Sequence, residues 1–484
     1  MTDSATSEQL HDLAAVLRAH PAVADATVVP GAADRTPDVW LVPDPDAAAL
    51  LHRSAVLEAA GRLDALGWHE PCDELRVAGL NRSETEFLYR EIFTENAYVR
   101  HGITLPPGAV VVDAGANIGM FTLYVALHSP GARVIAVEPM AELADAVAVN
   151  AELYGADVTV LRCGLGRAEA AAEFTYYPNN SVMSGGLADA EEDLAVLRGY
   201  LLTGDGAEPG AQLDRLAADR MTAQRRHLPV TTLTKVAAEH ELTRIDLLKI
   251  DVEKAEAEVL EGIGDTLWPR IDQIVMEVHD VNGRLAAILA TLRAKGFTVT
   301  HEQDARLALT PCHSVYAYRP QATAQAPVAD TPGPADRGPT LQVLERELRE
   351  LIAQHAPLDT PPRRFGVVSD LDQVVARSAA PATRPVLADT ARTAILAEIW
   401  SGLFGPEAVR QDADFFDLGG DSLTAVRLLA QIEQRLGEEA LAPDLIFTDS
   451  TFGALAAAIE ATAPSGTAAG DDEHRPVVNA DHSP

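Results

Sequence analysis

Between residues 108 and 318 short β-branched runs alternate with helical stretches, and this alternation constrains the fold more than any other feature of the chain. The runs read "GAVVVDAG", "ARVIAVEP", "DVTVLRCG", "RIDLLKID", "DQIVMEVHD", "FTVTHEQ" and "SVYAYRP". Short apolar strands separated by helices predict a mostly parallel sheet covered on both faces. Such sheets bind ligands at the carboxyl ends of their strands. Asp113, Glu138, Asp251, Glu277 and His279 all fall at those ends.

The first run continues as "VVVDAGANIGMF", which places Gly115 and Gly119 between a strand and a helix. Glycine lets the backbone take positive φ and approach a ligand closely. Glu138 ends the next strand, at the spacing where an acid binds ribose hydroxyls in dinucleotide sites. The pattern is not G-x-G-x-x-G, so no tight glycine triplet faces a pyrophosphate and a nicotinamide dinucleotide is disfavoured. An acid before the turn suits a cationic, phosphate-free cofactor such as S-adenosylmethionine.

"VVVDAGANIGMFTLYVA", "VIAVEP", "EFTYYPNNSVMSG", "IDLLKIDVEKAE" and "VMEVHD" stand in the order and spacing of FkbM-type methyltransferases. Upstream, "NRSETEFLYREIF" resembles the helix that precedes the core in that family. The resemblance spans about residues 55–320 and implies a Rossmann-like class I methyltransferase. It implies that Asp113, Gly115, Asn117 and Gly119 line the methionine end of the cofactor, with Glu138 on the ribose. One departure is Lys254 in "DVEKAE", where the family more often has glycine.

Methyl transfer needs an acceptor aligned with an activated methyl and a group that removes a proton. His279 in "EVHD" is the candidate base, oriented by Asp280 or Asp251. An alternative makes Asp251, Glu277 and Asp280 oxygen ligands of Mg²⁺. It is the less favoured, and no metal is assigned. The stretch from about residue 165 to 240 is long, polar and acidic. It reads as a lid over the acceptor, with Tyr176, Asn180 and Ser181 beside the substrate.

Near the C-terminus "DFFDLGGDSLTAVRLL" sets Ser422 on a Gly-Gly-Asp turn ahead of an apolar-periodic run. With "TARTAILAEIWSGLFG" before it and "TFGALAAAIEA" after, the segment predicts a small helical bundle. It resembles a peptidyl carrier domain of nonribosomal peptide synthetases. That resemblance implies 4′-phosphopantetheine on Ser422, with Gly419, Gly420 and Asp421 admitting the modifying enzyme. The first segment, "LAAVLRAHPAVADATVVPG", resembles the start of an adenylation domain's small C-terminal subdomain. "LQVLERELRELIAQHAPLDTPPRRFGVVSDLDQVV" resembles its end, without the catalytic-lysine loop.

The expected order follows. Residues 1–50 and 340–376 form a split α+β remnant of that subdomain, and residues 51–320 the methyltransferase. A Pro/Ala-rich linker at 321–339, a second linker at 377–388, an all-α carrier at 389–462 and a disordered tail at 463–484 complete it. A formal charge of −34 argues against nucleic acid or an anionic membrane as partner. Three scattered cysteines and no export signal fit the cytoplasm. The function expected is methylation, O- rather than N-, of an acyl or aminoacyl group on the chain's own carrier. Partners would be a phosphopantetheinyl transferase and a separate adenylating enzyme or neighbouring synthetase modules. The competing reading is an inert methyltransferase scaffold beside a working carrier.

Overall fold

The computed structural model describes residues 7–30, 37–178, 180–187, 193, 221–304, 307–308, 310–320, 338–355, 362, 364–374, 391–411, 413–415, 418, 420, 422–437, 440–442 and 445–462. The chain divides into two compact units, one of residues 1–384 with 421–426 and the other of residues 385–420 with 427–484.

The first unit is built on a seven-stranded sheet. Its strands are β5 (Val110–Ala114), β6 (Arg133–Val137), β7 (Asp157–Leu161), β11 (Leu247–Ile250), β12 (Gln273–His279), β13 (Thr298–Glu302) and β14 (Cys312–Tyr318), in the order β13-β14-β12-β11-β5-β6-β7. β7, β6, β5, β11 and β12 run parallel, whereas β14 is antiparallel to both β12 and β13. This is the Rossmann-like class I architecture. The order reverses between β5 and β11, so both strands open onto one crevice, where such sheets bind ligands. Helices Met120–His128 and Ala141–Tyr154 connect the β5–β6–β7 side; Leu233–Glu239, Glu256–Glu261 and Arg284–Ala294 serve the other. Val112, Ile135, Leu248, Ile250, Ile274 and Met276 form the core on one face. Val111, Val134, Leu247, Val275 and Tyr316 pack on the opposite face.

The stretch 165–240 is more ordered at its ends than its polarity suggests. β8 (Gly164–Leu165), β9 (Ala170–Tyr176) and β10 (Gln224–Thr231) make a second small sheet, ordered β8-β10-β9. Helix Leu233–Glu239 follows, opened by the Thr232 hydroxyl accepting from the Lys235 N–H. The expected lid therefore narrows to the region between β9 and β10, and 188–192 and 194–220 lie outside the described residues.

Both flanks join in one three-stranded sheet. β1 (Val23–Val29) pairs antiparallel with β2 (Asp38–Pro43), and β15 (Arg364–Val367) adds parallel to β2. Helices Ser7–Arg18 and Leu341–His355 cover it, burying Leu13, Leu17, Leu344, Leu348 and Phe365. Helix Ala49–Ala59 crosses the sequence-drawn boundary at residue 50. Its Leu51 and Ala55 enter this small core, while Leu50 and Leu57 pack with Ala78, Val149 and Leu153 of the methyltransferase. Between them, the hairpin of β3 (Gly67–Cys72) and β4 (Leu75–Gly79) carries Glu70, whose carboxylate accepts from the N–H groups of Leu341 and Gln342.

The described residues from 391 to 462 are helical, with Ala391–Phe404, Ser422–Leu436, Leu445–Thr448 and Phe452–Ala461, and bury Trp400, Phe415 and Phe452. Trp400 meets the ring of Phe452 edge-on at 5.4 Å and donates to the Ala408 carbonyl at 3.0 Å. Among the described residues no helix is long and apolar enough to cross a membrane.

Candidate active site

β5 ends at Ala114, and the chain turns at once. Gly115 has φ +77°, and a Cβ there would lie 1.7 Å from the Asp251 carbonyl oxygen, so only glycine fits. Asn117 (φ +50°) and Gly119 (φ +84°) complete the turn into helix Met120–His128. Glu138, just beyond β6, is buried and accepts from the Asn117 and Met140 N–H groups, each at 2.9 Å. Burial pushes its carboxyl up to about 7, against the pull of those two bonds. It thus stands beside the glycine turn and fixes its shape.

Asp113 is fully buried at the end of β5. Its Oδ2 accepts from the Thr122 hydroxyl at 2.7 Å; its Oδ1 has no hydrogen-bond partner and faces Lys249 Nζ at 3.2 Å. Lys249, on β11, also donates to the Gly115 carbonyl at 2.6 Å and lies 3.5 Å from Asp251. Burial would lower the Lys249 pKa, but Asp113 and Asp251 outweigh it and raise it, so the ammonium stays charged.

Across the crevice the ends of β11 and β12 gather acids. Oxygens of Asp251, Glu253 and Glu277 lie within 4.8 Å of one another. Tyr98 donates to Asp251 at 2.8 Å. Burial, and then the Asp251 charge, lift Glu277 to about 7; burial, then Glu277 and Asp251, lift Glu91 to about 8. Glu253 is raised well above the usual carboxylate range by burial, against the pull of the His279 cation, with Glu277, Asp251 and Glu256 adding to the rise.

His279 has other partners than Asp280 or Asp251. Its Nδ1 lies 2.9 Å from Glu256 and its Nε2 3.3 Å from Glu253. Glu256 is itself fully buried and receives Arg284 at 3.2 Å. Burial would lower the imidazole's pKa, yet Glu253, Cys312 and Glu256 raise it far above the ordinary range. The ring is held as an imidazolium, which is the wrong form for a general base. Asp280 is occupied elsewhere: it accepts from the Leu285 N–H, in the first turn of helix Arg284–Ala294, at 3.1 Å. For the same reason the trio Asp251, Glu277 and Asp280 is not assembled around a metal position. Asp251, Glu253 and Glu277 could hold a hard cation, but Lys249 and His279 already supply two positive charges to that cluster.

The residues expected near the substrate divide. Ser181 joins the site: its N–H and hydroxyl both bond the buried Glu84, and Asn117 Nδ2 reaches its Oγ at 3.3 Å. Glu84 is positioned by the helix cap Asn81: its backbone N–H donates to Asn81 Oδ1 at 2.9 Å, and its carboxylate accepts from Asn81 Nδ2 at 2.8 Å. Asn180 is buried and faces Met221 Sδ at 3.4 Å. Tyr176 is buried under the Arg226 guanidinium, 4.2 Å from its ring centroid. Sequence reasoning did not single out Lys249, Glu253, Glu256, Glu84 or Tyr98. Glu253 and Glu256 lay within a quoted motif, but nothing local marks which acid will meet His279 from 23 residues away.

Near the C-terminus Ser422 opens helix Ser422–Leu436. Gly420 packs on Phe415, where a Cβ would come within 2.4 Å of the ring, so this glycine is also demanded by the bundle's own packing. Gly419 and Asp421 lie outside the described residues.

Comparison with known proteins follows these two sites. The Methyltransferase FkbM domain matches residues 113–299, and the Phosphopantetheine attachment site matches residues 394–459. These domains take S-adenosylmethionine and 4′-phosphopantetheine. The residues present fit the former: a turn that no Cβ could enter at Gly115, and a buried Asp113 oxygen with accepting capacity to spare. The 31-O-demethyl-FK506 methyltransferase FkbM of Streptomyces tacrolimicus is 43% identical over 244 residues, 50% of this chain and 93% of that protein. The AMB antimetabolite synthetase AmbE of Pseudomonas aeruginosa is 36% identical across 96% of this chain, which spans only 23% of AmbE. Among solved structures, the delta-N METTL16 MTase domain shares 12% identity at a TM-score of 0.27, covering 56% of this chain and 94% of that one. That likeness is too slight to argue from. With its glycine turn, its strand-end acids and a near full-length match to the Streptomyces enzyme, the chain belongs to the FkbM methyltransferase family and carries a phosphopantetheine-attachment domain behind it.

Proposed function

We propose that the protein methylates an oxygen of an acyl or aminoacyl group held as a thioester on Ser422 of its own carrier domain, within nonribosomal peptide or related natural-product assembly. What most supports the reading is that the cofactor turn and the acid cluster meet at one residue. The Asp251 carbonyl lies against Gly115, and its carboxylate lies beside Glu253 and Glu277. A relative acting on a 31-O-demethyl compound favours oxygen as the acceptor, and a synthetase relative spanning both flanks favours a tethered cargo. A tether gives its cargo a local concentration of about the millimolar range, so no tight pocket is needed.

The sulfonium of S-adenosylmethionine supplies an activated methyl. The chain's residues do the rest. The turn 115–119 and Glu138 hold the donor, and Glu84 and Ser181 wall the site. Glu253 accepts the hydroxyl proton on its carboxylate as the oxygen–methyl bond forms. The His279 imidazolium, 3.3 Å away, pulls the carboxyl's pKa down against burial and so favours the ionised form this role needs. His279, kept cationic by Glu253 and Glu256, orients that carboxylate and limits the repulsion among the acids. This retains His279 at the site in a different role from the base first expected of it. The split subdomain of the flanks serves as a docking platform, and the free Cys72, Cys163 and Cys312 suit a cytoplasmic setting.

The experiment is to pantetheinylate the carrier, charge it with hydroxyl-bearing and amine-bearing aminoacyl groups, add donor, and read the arm by mass spectrometry. One added methyl on the hydroxyl-bearing cargo is expected, unaffected by EDTA. Methylation of the amine cargo alone would make the protein an N-methyltransferase. No shift on any cargo, despite measurable binding of S-adenosylhomocysteine, would remove the reading. Activity that collapses with EDTA and returns with Mg²⁺ would replace the proton-acceptor role of Glu253 with a metal.

A further inference from the structure

The turn that follows β11 bears a cost that sequence alone would remove. Glu253 (φ +51°) and Lys254 (φ +71°) are consecutive non-glycine residues in the left-handed region, where a Cβ is disfavoured. Glycine at 254 would relieve the backbone. Lys254 instead sends its ammonium inward, 2.7 Å from Asp193, with both side chains almost wholly buried. The other Asp193 oxygen accepts the Tyr177 hydroxyl at 2.9 Å, and Tyr177 too is fully buried. A buried charge pair of this kind is costly to leave half-made, so its geometry is enforced.

Tyr177 begins the turn that carries Asn180 and Ser181. Its N–H donates to Ser184 Oγ at 3.0 Å, the Asn180 N–H donates to the Tyr177 carbonyl at 3.0 Å, and Thr175 and Gly185 exchange backbone bonds that close the loop. Gly185 sits directly on the strained turn, since a Cβ there would come within 2.6 Å of Glu253 Cβ. We infer that Lys254 is a positioning residue. Its ion pair with Asp193 clamps the 175–185 turn against the Glu253 turn, and so sets the distance between Ser181 on one wall and Glu253 on the other. The strain at residue 254 is retained because a glycine could not reach Asp193. This rests on the reading that the acceptor lies between those walls.

The test uses the full-length protein with its carrier charged. Lys254→Gly frees the backbone but leaves Asp193 buried without its cation, so it should lower thermal stability, and it should raise KM for the tethered acceptor at least tenfold. Affinity for S-adenosylhomocysteine should change less than twofold. Asp193→Asn, nearly isosteric, should reproduce the KM effect, and the double variant should be no worse than either single one. Lys254→Arg should restore at least half of the activity. Amide exchange gives a second readout that needs no turnover. In both single variants Tyr177, Asn180, Ser184 and Gly185 should exchange at least tenfold faster while β11 is unchanged. Unaltered exchange overturns the clamp even if the protein proves to methylate nothing. Faster exchange with unaltered KM shows a purely structural pair and overturns the positioning role. Faster exchange in a protein whose native form never methylates its cargo leaves the clamp standing and removes the functional reading beneath it.

Discussion

Two turns face each other across the crevice, and they solve the same backbone problem with different residues. After β5 the positive-φ positions at the turn's ends are Gly115 and Gly119; after β11 they are Glu253 and Lys254. The first turn offers bare main chain, so a ligand can come close. The second accepts conformational cost in order to place a carboxylate and an ammonium at a fixed spot. Strain of this sort, about 1–3 kcal/mol per residue, persists where the surroundings over-determine it. On the proposed function, the contrast separates the half of the site that would hold the donor from the half that would handle the proton.

The sharpest way to break that division is at Glu253. Glu253→Gln should lower turnover on the charged carrier by about 10²–10⁴-fold, the usual range for losing a general base, while donor affinity holds. Single-turnover rates set against calorimetric titration check it, and a coupled loss of both would merge the two halves. Gly115→Ala tests the opposite turn. The added methyl meets the Asp251 carbonyl, and the αL penalty and overpacking together should cost about 3 kcal/mol of stability and of donor affinity alike. Denaturant midpoints and titration with S-adenosylhomocysteine read both, and a well-folded variant that binds normally would show the turn is looser than its geometry. The smallest effect is in pH. Glu91 is raised to about 8, and Glu138 and Glu277 to about 7, so the folded state binds more protons than the unfolded one between about pH 4.5 and 8. Stability should therefore fall as pH rises through that window, by about 1.4 kcal/mol per pH unit for each proton involved. Thermal melts at several pH values measure the slope, and Glu91→Gln should flatten its upper end.

Much of the donor half was legible in the sequence. A β-branched run, an acid and two glycines specify strand, turn and helix locally, whereas a cofactor role for Asp113, Gly115, Gly119 and Glu138 came from the family resemblance. The proton-handling half was less so, because its contacts join distant segments. Ser181 meets Glu84 across 97 residues, and Tyr98 meets Asp251 across 153. A histidine's pKa depends on which acids enclose it, and "EVHD" names the wrong one: Asp280 accepts from the Leu285 N–H while Glu256 takes the ring. The antiparallel pairing of β9 with β10 was hidden likewise, since the 47 residues between them interrupt the pattern that two adjacent strands would show. The carrier's serine, by contrast, stood in a motif too specific to miss.

Helix Ala49–Ala59, with one side in each of two cores, bears on how this catalytic block can be transplanted. A fragment of residues 61–320 alone would bare Ala78, Val149 and Leu153 to water, and would strip Glu70 of the helix end whose N–H groups it accepts. The portable cassette is the enzyme together with both its flanks, and a graft should be spliced before Ser7 and after Val374, never at the apparent seam.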